Sequence, residues 1–364
     1  MLNENVFIAW TGGATIVRKK RERNSTSQAG IREVAAAAGV SIATVSRVLN
    51  GTAYVLPETR QRVEASVAEL RFVPQSAARA LAGRRKMTLG LLVPEISGDF
   101  FAPMLRGIER ASSAAGYELL IQTTAYRSST GFRRALGERN TDGLLLFDHS
   151  VDDSTLAELE ASGFPVVLLY TEASAPSKLV SVTIENERGA ADAVKHLAEI
   201  HGRRRIVCLV GPEGNHDAAS RERGYRGALE KLGIGFDPEL LAPGDYSAGR
   251  AAESVRALVD RGVIFDAVFA GDDGAAIGVL AALREVGRRV PEDVAVVGFD
   301  DQSLAAEGAM NLSTVRAPTE DVGSEAVRLL LRQIEGEERV SSLVLPTVFV
   351  PRTSCGCARR DVSN

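Results

Sequence analysis

Residues Ile31 to Asn50 read IREVAAAAGVSIATVSRVLN, and this stretch decides how the chain is organised. Ile31, Val34, Ala35 and Ala38 recur at helical spacing, which gives a first short helix one apolar stripe. Gly39 stops it, because glycine enters the left-handed conformation that ends a helix without a steric penalty. Ser41 is placed to cap a second helix that carries Val45, Val48 and Leu49 inward, and Asn50-Gly51 ends that one. Two helices joined by so tight a turn cross steeply, which is helix-turn-helix geometry. The second helix leaves Ile42, Ala43, Ser46 and Arg47 off its stripe, and the N-terminal residues of such a helix meet base edges in a major groove. An alanine-rich helical pair can also merely pack, so spacing alone leaves DNA binding open.

Outside this stretch the charge is uneven. The 364 residues carry a net −4, yet residues 1–86 hold 14 Lys/Arg against 6 Asp/Glu and the remainder 29 against 41. A basic head at +8 on an acidic body at −12 suits phosphate attraction at one end only. With 45% hydrophobic residues the chain can bury two or three cores. It has no apolar run of about 18 residues for a membrane span, and its three unevenly spaced cysteines make no disulfide framework. The cytoplasm is the expected compartment.

The wording AGVSIATVSRVLNG closely resembles the signature of the lactose-repressor (LacI/GalR-type) family of bacterial transcription regulators, and the resemblance extends over about residues 29 to 357. It implies a small all-α helix-turn-helix head and an α/β periplasmic-binding-protein-like core of two doubly wound parallel-sheet subdomains. It also implies a homodimer, a palindromic double-stranded operator and a small-molecule effector, sugar-like in character. On that basis Ser41, Ile42, Ala43, Thr44, Ser46, Arg47 and Asn50 are expected at the DNA.

In chain order, residues 1–28 read as an extension without structure of its own. They lack the basic start and cleavage site of a signal peptide, and the run Arg18, Lys19, Lys20, Arg21, Arg23 could touch phosphates or simply be solvated. The head spans 29–73 and is completed by a third helix from Pro57 to about Leu70, with Val63, Val67 and Leu70 facing the pair. Leu56 and Arg71 depart from the serine and glycine that the family usually places there. Residues 74–86 contain SAARALAGR, which resembles the family's hinge helix; the resemblance makes Leu81 a minor-groove wedge and sets Arg79 and Arg84 near the backbone.

From Met87 short apolar strands alternate with helices, including helices near Phe101–Ala115, Gly189–Ile200, Arg223–Leu232 and Ala275–Val286. That pattern predicts parallel sheets covered on both faces. The core is expected over 87–357: a first subdomain of about 87–184 and 316–337, a second of about 185–315 and 338–352, and a tail at 358–364. The connection from Thr124 to Asn140 is short for the family, so one covering helix should be truncated there.

Ligands in such folds sit beyond the carboxyl ends of the strands. The resemblance places Phe100 and Phe101 against the effector, Tyr246 against its ring, and Arg221, Asp272 and Asp300 as polar contacts. Asn215 and Asp217, in the loop before Arg221, are further candidates. Each also has an ordinary explanation as a cap, loop or core residue. Ala317 stands where some relatives place an effector-bonding glutamine. Cys355-Gly356-Cys357 lacks a companion histidine pair in the sequence, so no metal and no cofactor is expected. No heptad follows, so a dimer is expected. A plain sugar-binding or transport protein and an enzyme are the rivals, along with control by a partner protein. No Gly-rich phosphate loop, nucleophile elbow or metal spacing supports catalysis.

Overall fold

The computed structural model describes residues 30–50, 53–70, 72, 85–124, 135–147, 150–172, 177–302, 311–337 and 339–358. The expectations for the N-terminal extension, the hinge segment with Arg79, Leu81 and Arg84, Arg71, the middle of the 124–140 connection and most of the tail lie outside these residues. Two compact units divide the chain after Gly83.

The first unit holds α1 (Ile31–Ala38), α2 (Ile42–Asn50) and α3 (Pro57–Glu69). Glu33 reaches back to accept the Gly30 N–H at 2.9 Å, and Gly39 ends α1 at φ 64°. Ser41 Oγ accepts the Thr44 N–H at 3.1 Å, which satisfies a donor that the first turn of α2 would otherwise leave open. Val34, Ala35, Ala38, Val45, Val48 and Val63 form the buried centre, with Leu49, Val67 and Leu70 packed against it.

The second unit contains two parallel sheets. The first has the order β11-β5-β4-β3-β1-β2, from β1 (Thr88–Val93), β2 (Glu118–Thr123), β3 (Gly143–Phe147), β4 (Val166–Leu169), β5 (Val180–Ile184) and β11 (Leu343–Leu345). The second has the order β7-β6-β8-β9, from β6 (Ile206–Val210), β7 (Leu241–Pro243), β8 (Ala267–Ala270) and β9 (Ala295–Val297). Successive side chains of a strand point to opposite faces, so a sheet covered on both sides needs continuous apolar runs. Thus Cys208 and Phe269 join one core while Val207, Leu209, Val268 and Ala270 join the other.

Helices α4 (Phe101–Ala114), α5 (Asp153–Ser162) and α10 (Thr319–Ile334) accompany the first sheet. Helices α6 (Asn186–Glu199), α7 (His216–Lys231), α8 (Ala248–Asp260) and α9 (Asp273–Glu285) accompany the second. The chain passes between the sheets after β5, after β9 and after β11. The antiparallel pair β10 (Thr314–Arg316) and β12 (Val348–Val350) carries the latter two passages.

The structure corrects the expected division in one place. The alternation of strands and helices places residues 338–352 in the second subdomain, but Leu343–Leu345 pairs with Val182–Ile184 in the first sheet. The Leu345 carbonyl accepts the Glu185 N–H at 2.9 Å. Three residues are too few to announce a strand by period, and the edge of the first sheet captures them because its hydrogen bonds are otherwise open.

Candidate functional site

On α2 the side chains of Ser41, Ile42, Ala43 and Arg47 are exposed, while Thr44 and Ser46 are half-buried. Ile42 is 45% exposed, an apolar residue held out of the core at the start of the helix. The Ser41 hydroxyl also meets Thr44 Oγ1 at 2.9 Å, so both hydroxyls are positioned rather than free to rotate. Asn50 closes the helix, and its side chain lies outside the described residues.

In the core the expected cleft residues gather around Arg221, which is 4% exposed. Its Nε donates to Asn186 Oδ1 at 2.8 Å, Nη1 to the Gly271 carbonyl at 2.6 Å and Nη2 to Asp300 Oδ1 at 3.0 Å. Asp217 lies one helical turn before it, 3.9 Å away, and accepts Asn186 Nδ2 at 2.7 Å. The guanidinium stacks 3.7 Å from the centre of the Phe299 ring, and the Tyr246 ring lies at 5.6 Å. Burial pushes the Asp300 carboxyl up to about 6, although Arg221 pulls in the other direction. Asp272 is also raised by burial; it caps α9 by accepting the Ala275 N–H at 2.8 Å.

Two details move residues from where the sequence reading put them. Helix α7 begins at His216, seven residues before the expected start, so Asp217 lies within the helix. Asn215 is its N-cap and accepts the Ala218 N–H at 2.8 Å and the Tyr246 hydroxyl at 3.2 Å. A polar cap before an arginine-rich, weakly amphipathic turn gives little periodicity, which is why the start was missed. The backbone is also left-handed at Asp245-Tyr246 and at Asp300-Asp301, conformations that ordinary side chains adopt at a cost and that cluster at binding sites.

Phe100 and Phe101 stand at the start of α4 with ring centroids 5.3 Å apart. Phe101 is buried and Phe100 half-buried, so the former is core and the latter faces the cleft. Phe147 and Tyr170, which the sequence reading missed, join them at the ends of β3 and β4; Phe100 to Tyr170 is 5.1 Å. Asn186 was missed as well. All three stand at or within two residues of a strand's carboxyl end, the position used for the other candidates, and Phe147 lines the larger cavity.

A cavity of about 640 Å³ reaches Phe147, Thr171, Glu172, Asn215 and His216, and a second of about 210 Å³ is bounded by Phe100, Asp300, Gln302 and Ala317. Arg221, Asp217, Tyr246 and Asp272 border neither cavity. Their polar atoms already have partners, Arg221 in Asn186, the Gly271 carbonyl and Asp300, Asp217 in Asn186, Tyr246 in Asn215 and Asp272 in the Ala275 N–H. Asp273, absent from the expected set, is fully buried and ties α9 to β10 by accepting from Thr314 Oγ1 at 2.6 Å and the Gln302 N–H at 2.7 Å.

A compact helix-turn-helix unit and a doubly wound unit with polar and aromatic residues at its strand ends define a class, the regulators that read DNA with one unit and a ligand with the other. The chain belongs to the lacI family of bacterial regulatory proteins. That family's model matches residues 30–75, and a periplasmic binding protein-like domain matches residues 194–355. The HTH-type transcriptional regulator CelR of Thermobifida fusca is 38% identical over 331 residues, 88% of this chain and 96% of that protein. A solved CelR–cellobiose complex is similar over 90% of this chain and 99% of its own, at TM-score 0.66 and 34% identity. The lac repressor dimer bound to operator and the anti-inducer ONPF is similar over the same shares, at TM-score 0.79 and 26% identity. This protein is accordingly a helix-turn-helix transcription regulator. Among the described residues no helix is long and apolar enough to cross a membrane.

The expectation that Cys355 and Cys357 lack histidine companions is overturned. His196, His201, Cys355 and Cys357 place their donor atoms within 4.8 Å of one another. Two histidines at the end of α6 meet a turn more than 150 residues later, a proximity that only the tertiary fold creates. Cys355 is fully buried and ends a 3₁₀ turn, so it is no part of a loose tail.

Proposed function

We propose that this regulator represses transcription as a homodimer on a palindromic operator and is released or engaged by a sugar-like effector in the cleft of its core. The observation that carries the reading is Arg221. A buried ion pair adds little net stability over apolar packing, so its presence beside strand ends argues for a binding role. Three of the guanidinium's five N–H groups are used in the bonds described above. Asp300, which borders the smaller cavity and is held from behind by Arg221, offers its carboxylate as an acceptor to ring hydroxyls. Phe100, on the same cavity, supplies an apolar face for such a ring, with Asn215 and Asp217 holding the start of α7 and Tyr246 bonded to Asn215 behind them. The relative solved with cellobiose makes that disaccharide the first probe.

On the DNA side Arg47 takes a guanine, the commonest bidentate pairing, while Ile42 and Ala43 offer apolar contacts. The test joins both sites. Binding sites are selected from random DNA, and release of the selected duplex is followed across cellobiose, other sugars, nucleosides and sugar phosphates. A dyad-symmetric site and one sugar that both raises the melting temperature and shifts operator affinity are expected. Selected DNA without a dyad, or a response confined to a partner protein, would overturn the proposal.

A further inference from the structure

His196 lies in the last turn of α6 and His201 five residues on, so both rings leave the same end of the helix. Cys355 ends the turn Thr353–Cys355, and Cys357 follows Gly356. Gly356 has φ 108°, and a Cβ there would come within 3.0 Å of His201 Nδ1. Glycine therefore lets the Cys-Gly-Cys segment double back against the imidazoles.

The distances are those of a metal-binding set. His196 Nε2 is 3.2 Å from His201 Nε2, 3.5 Å from Cys355 Sγ and 3.4 Å from Cys357 Sγ; His201 Nε2 is 3.4 Å from Cys357 Sγ. A tetrahedral Zn²⁺ with bonds of about 2.3 Å to sulfur and about 2.0 Å to nitrogen separates N–N pairs by about 3.3 Å and N–S pairs by about 3.5 Å. These four pairs are spaced for one central ion, and the remaining two, from Cys355 to His201 and to Cys357, lie within 4.8 Å.

We propose that His196 Nε2, His201 Nε2, Cys355 Sγ and Cys357 Sγ bind a single Zn²⁺ in a closed tetrahedral site. Two thiolates and two imidazoles favour zinc over the oxygen-seeking divalent cations. Four protein ligands leave no open position, so the ion is structural and not catalytic. The ligands are also held in place. His196 packs on the Phe349 ring with centroids 4.5 Å apart, and the Cys355 N–H donates to Ser313 Oγ at 3.2 Å. The ion would clip the segment after β12 to the end of α6, closing a loop of about 160 residues and so restricting the unfolded chain.

The test uses the untagged full-length protein, kept reduced. Zinc by mass spectrometry should be present at about one ion per chain. Protein stripped with a chelator should melt several degrees lower and be restored by Zn²⁺ but not by Mg²⁺. Titrated with Co²⁺, the stripped protein should develop the visible bands of tetrahedral cobalt with thiolate-to-cobalt charge transfer, saturating near one equivalent. Cys357→Ser and His201→Gln should each weaken binding at least tenfold. A pale octahedral cobalt spectrum, no metal uptake by the reduced wild-type chain, or undiminished uptake by folded Cys357→Ser would overturn the proposal and leave a hydrogen-bonded packing cluster. The wild-type titration decides the matter even if a variant fails to fold.

Discussion

Arg221 exchanges water for bonds to Asn186, the Gly271 carbonyl and Asp300. Removing it leaves the Asp300 carboxylate buried without its cation, and breaking such a pair costs about 3–5 kcal/mol. Arg221→Ala should therefore lower unfolding free energy by about that much in a denaturant titration, besides abolishing the effector response. Asp300→Asn should cost less, because an amide can still accept from the guanidinium. Asp300 also gives stability a pH signature. Its folded-state value near 6 lies above the ordinary carboxyl range, so between about pH 4 and 6 the folded protein binds the extra proton. This group's contribution is full below that window and is lost as the pH rises through it. Melting temperature followed from pH 4 to 7 should show that decline in the wild type and less of it in Asp300→Asn. A steeper decline in the variant would mean that burial does not govern this carboxyl. Arg221, Asp300 and Tyr246 were legible through family resemblance, whereas their mutual bonding was not, because sequence shows residue types and not which partner each selects.

At the level of elements, α2 shows the closest agreement between sequence and structure. Its stripe of Val45, Val48 and Leu49 turns inward and Ser41 caps it, as periodicity and cap chemistry require. Arg47 is exposed and packs in no core, so Arg47→Ala should leave the melting temperature within a degree or two. Operator affinity should fall by about 1–3 kcal/mol, with relaxed preference at one base pair, in a competition assay. Ser41→Ala should instead cost about 1 kcal/mol of stability in the head, read by circular dichroism. Elements were less legible where periodicity is weak. Helix α7 starts earlier than its apolar residues announce, and β11 is fixed by the edge of a sheet built more than 150 residues upstream. In both cases the deciding interaction is a cap or a distant hydrogen-bonding partner, neither of which leaves a period in the sequence.

Across the whole molecule, charge and chain order matter more than any single contact. The excess of Lys/Arg within residues 1–86 predicts operator binding that weakens steeply with salt, with log affinity falling by about 0.9 per phosphate neutralised for each unit of log salt. A salt titration giving a slope near zero would contradict a phosphate-anchored head. The sequence revealed the two-sheet core because strand and helix periods alternate along it. It concealed the His196–Cys357 cluster because that contact exists only once both ends of the second sheet's subdomain are in place. Chain order has a further bearing on how the protein is made. The strands of the second sheet run without interruption from Ile206 to Val297. The first sheet begins at Thr88 yet takes α10 and β11 from Thr319–Ile334 and Leu343–Leu345. During synthesis, the strands of the first sheet made from Thr88 to Ile184 therefore wait about 135 further residues for the helix that covers them. A nascent chain halted before Thr319 would carry a contiguous second sheet beside an incomplete first one, which makes that interval the point at which chaperones and proteases find this regulator most open.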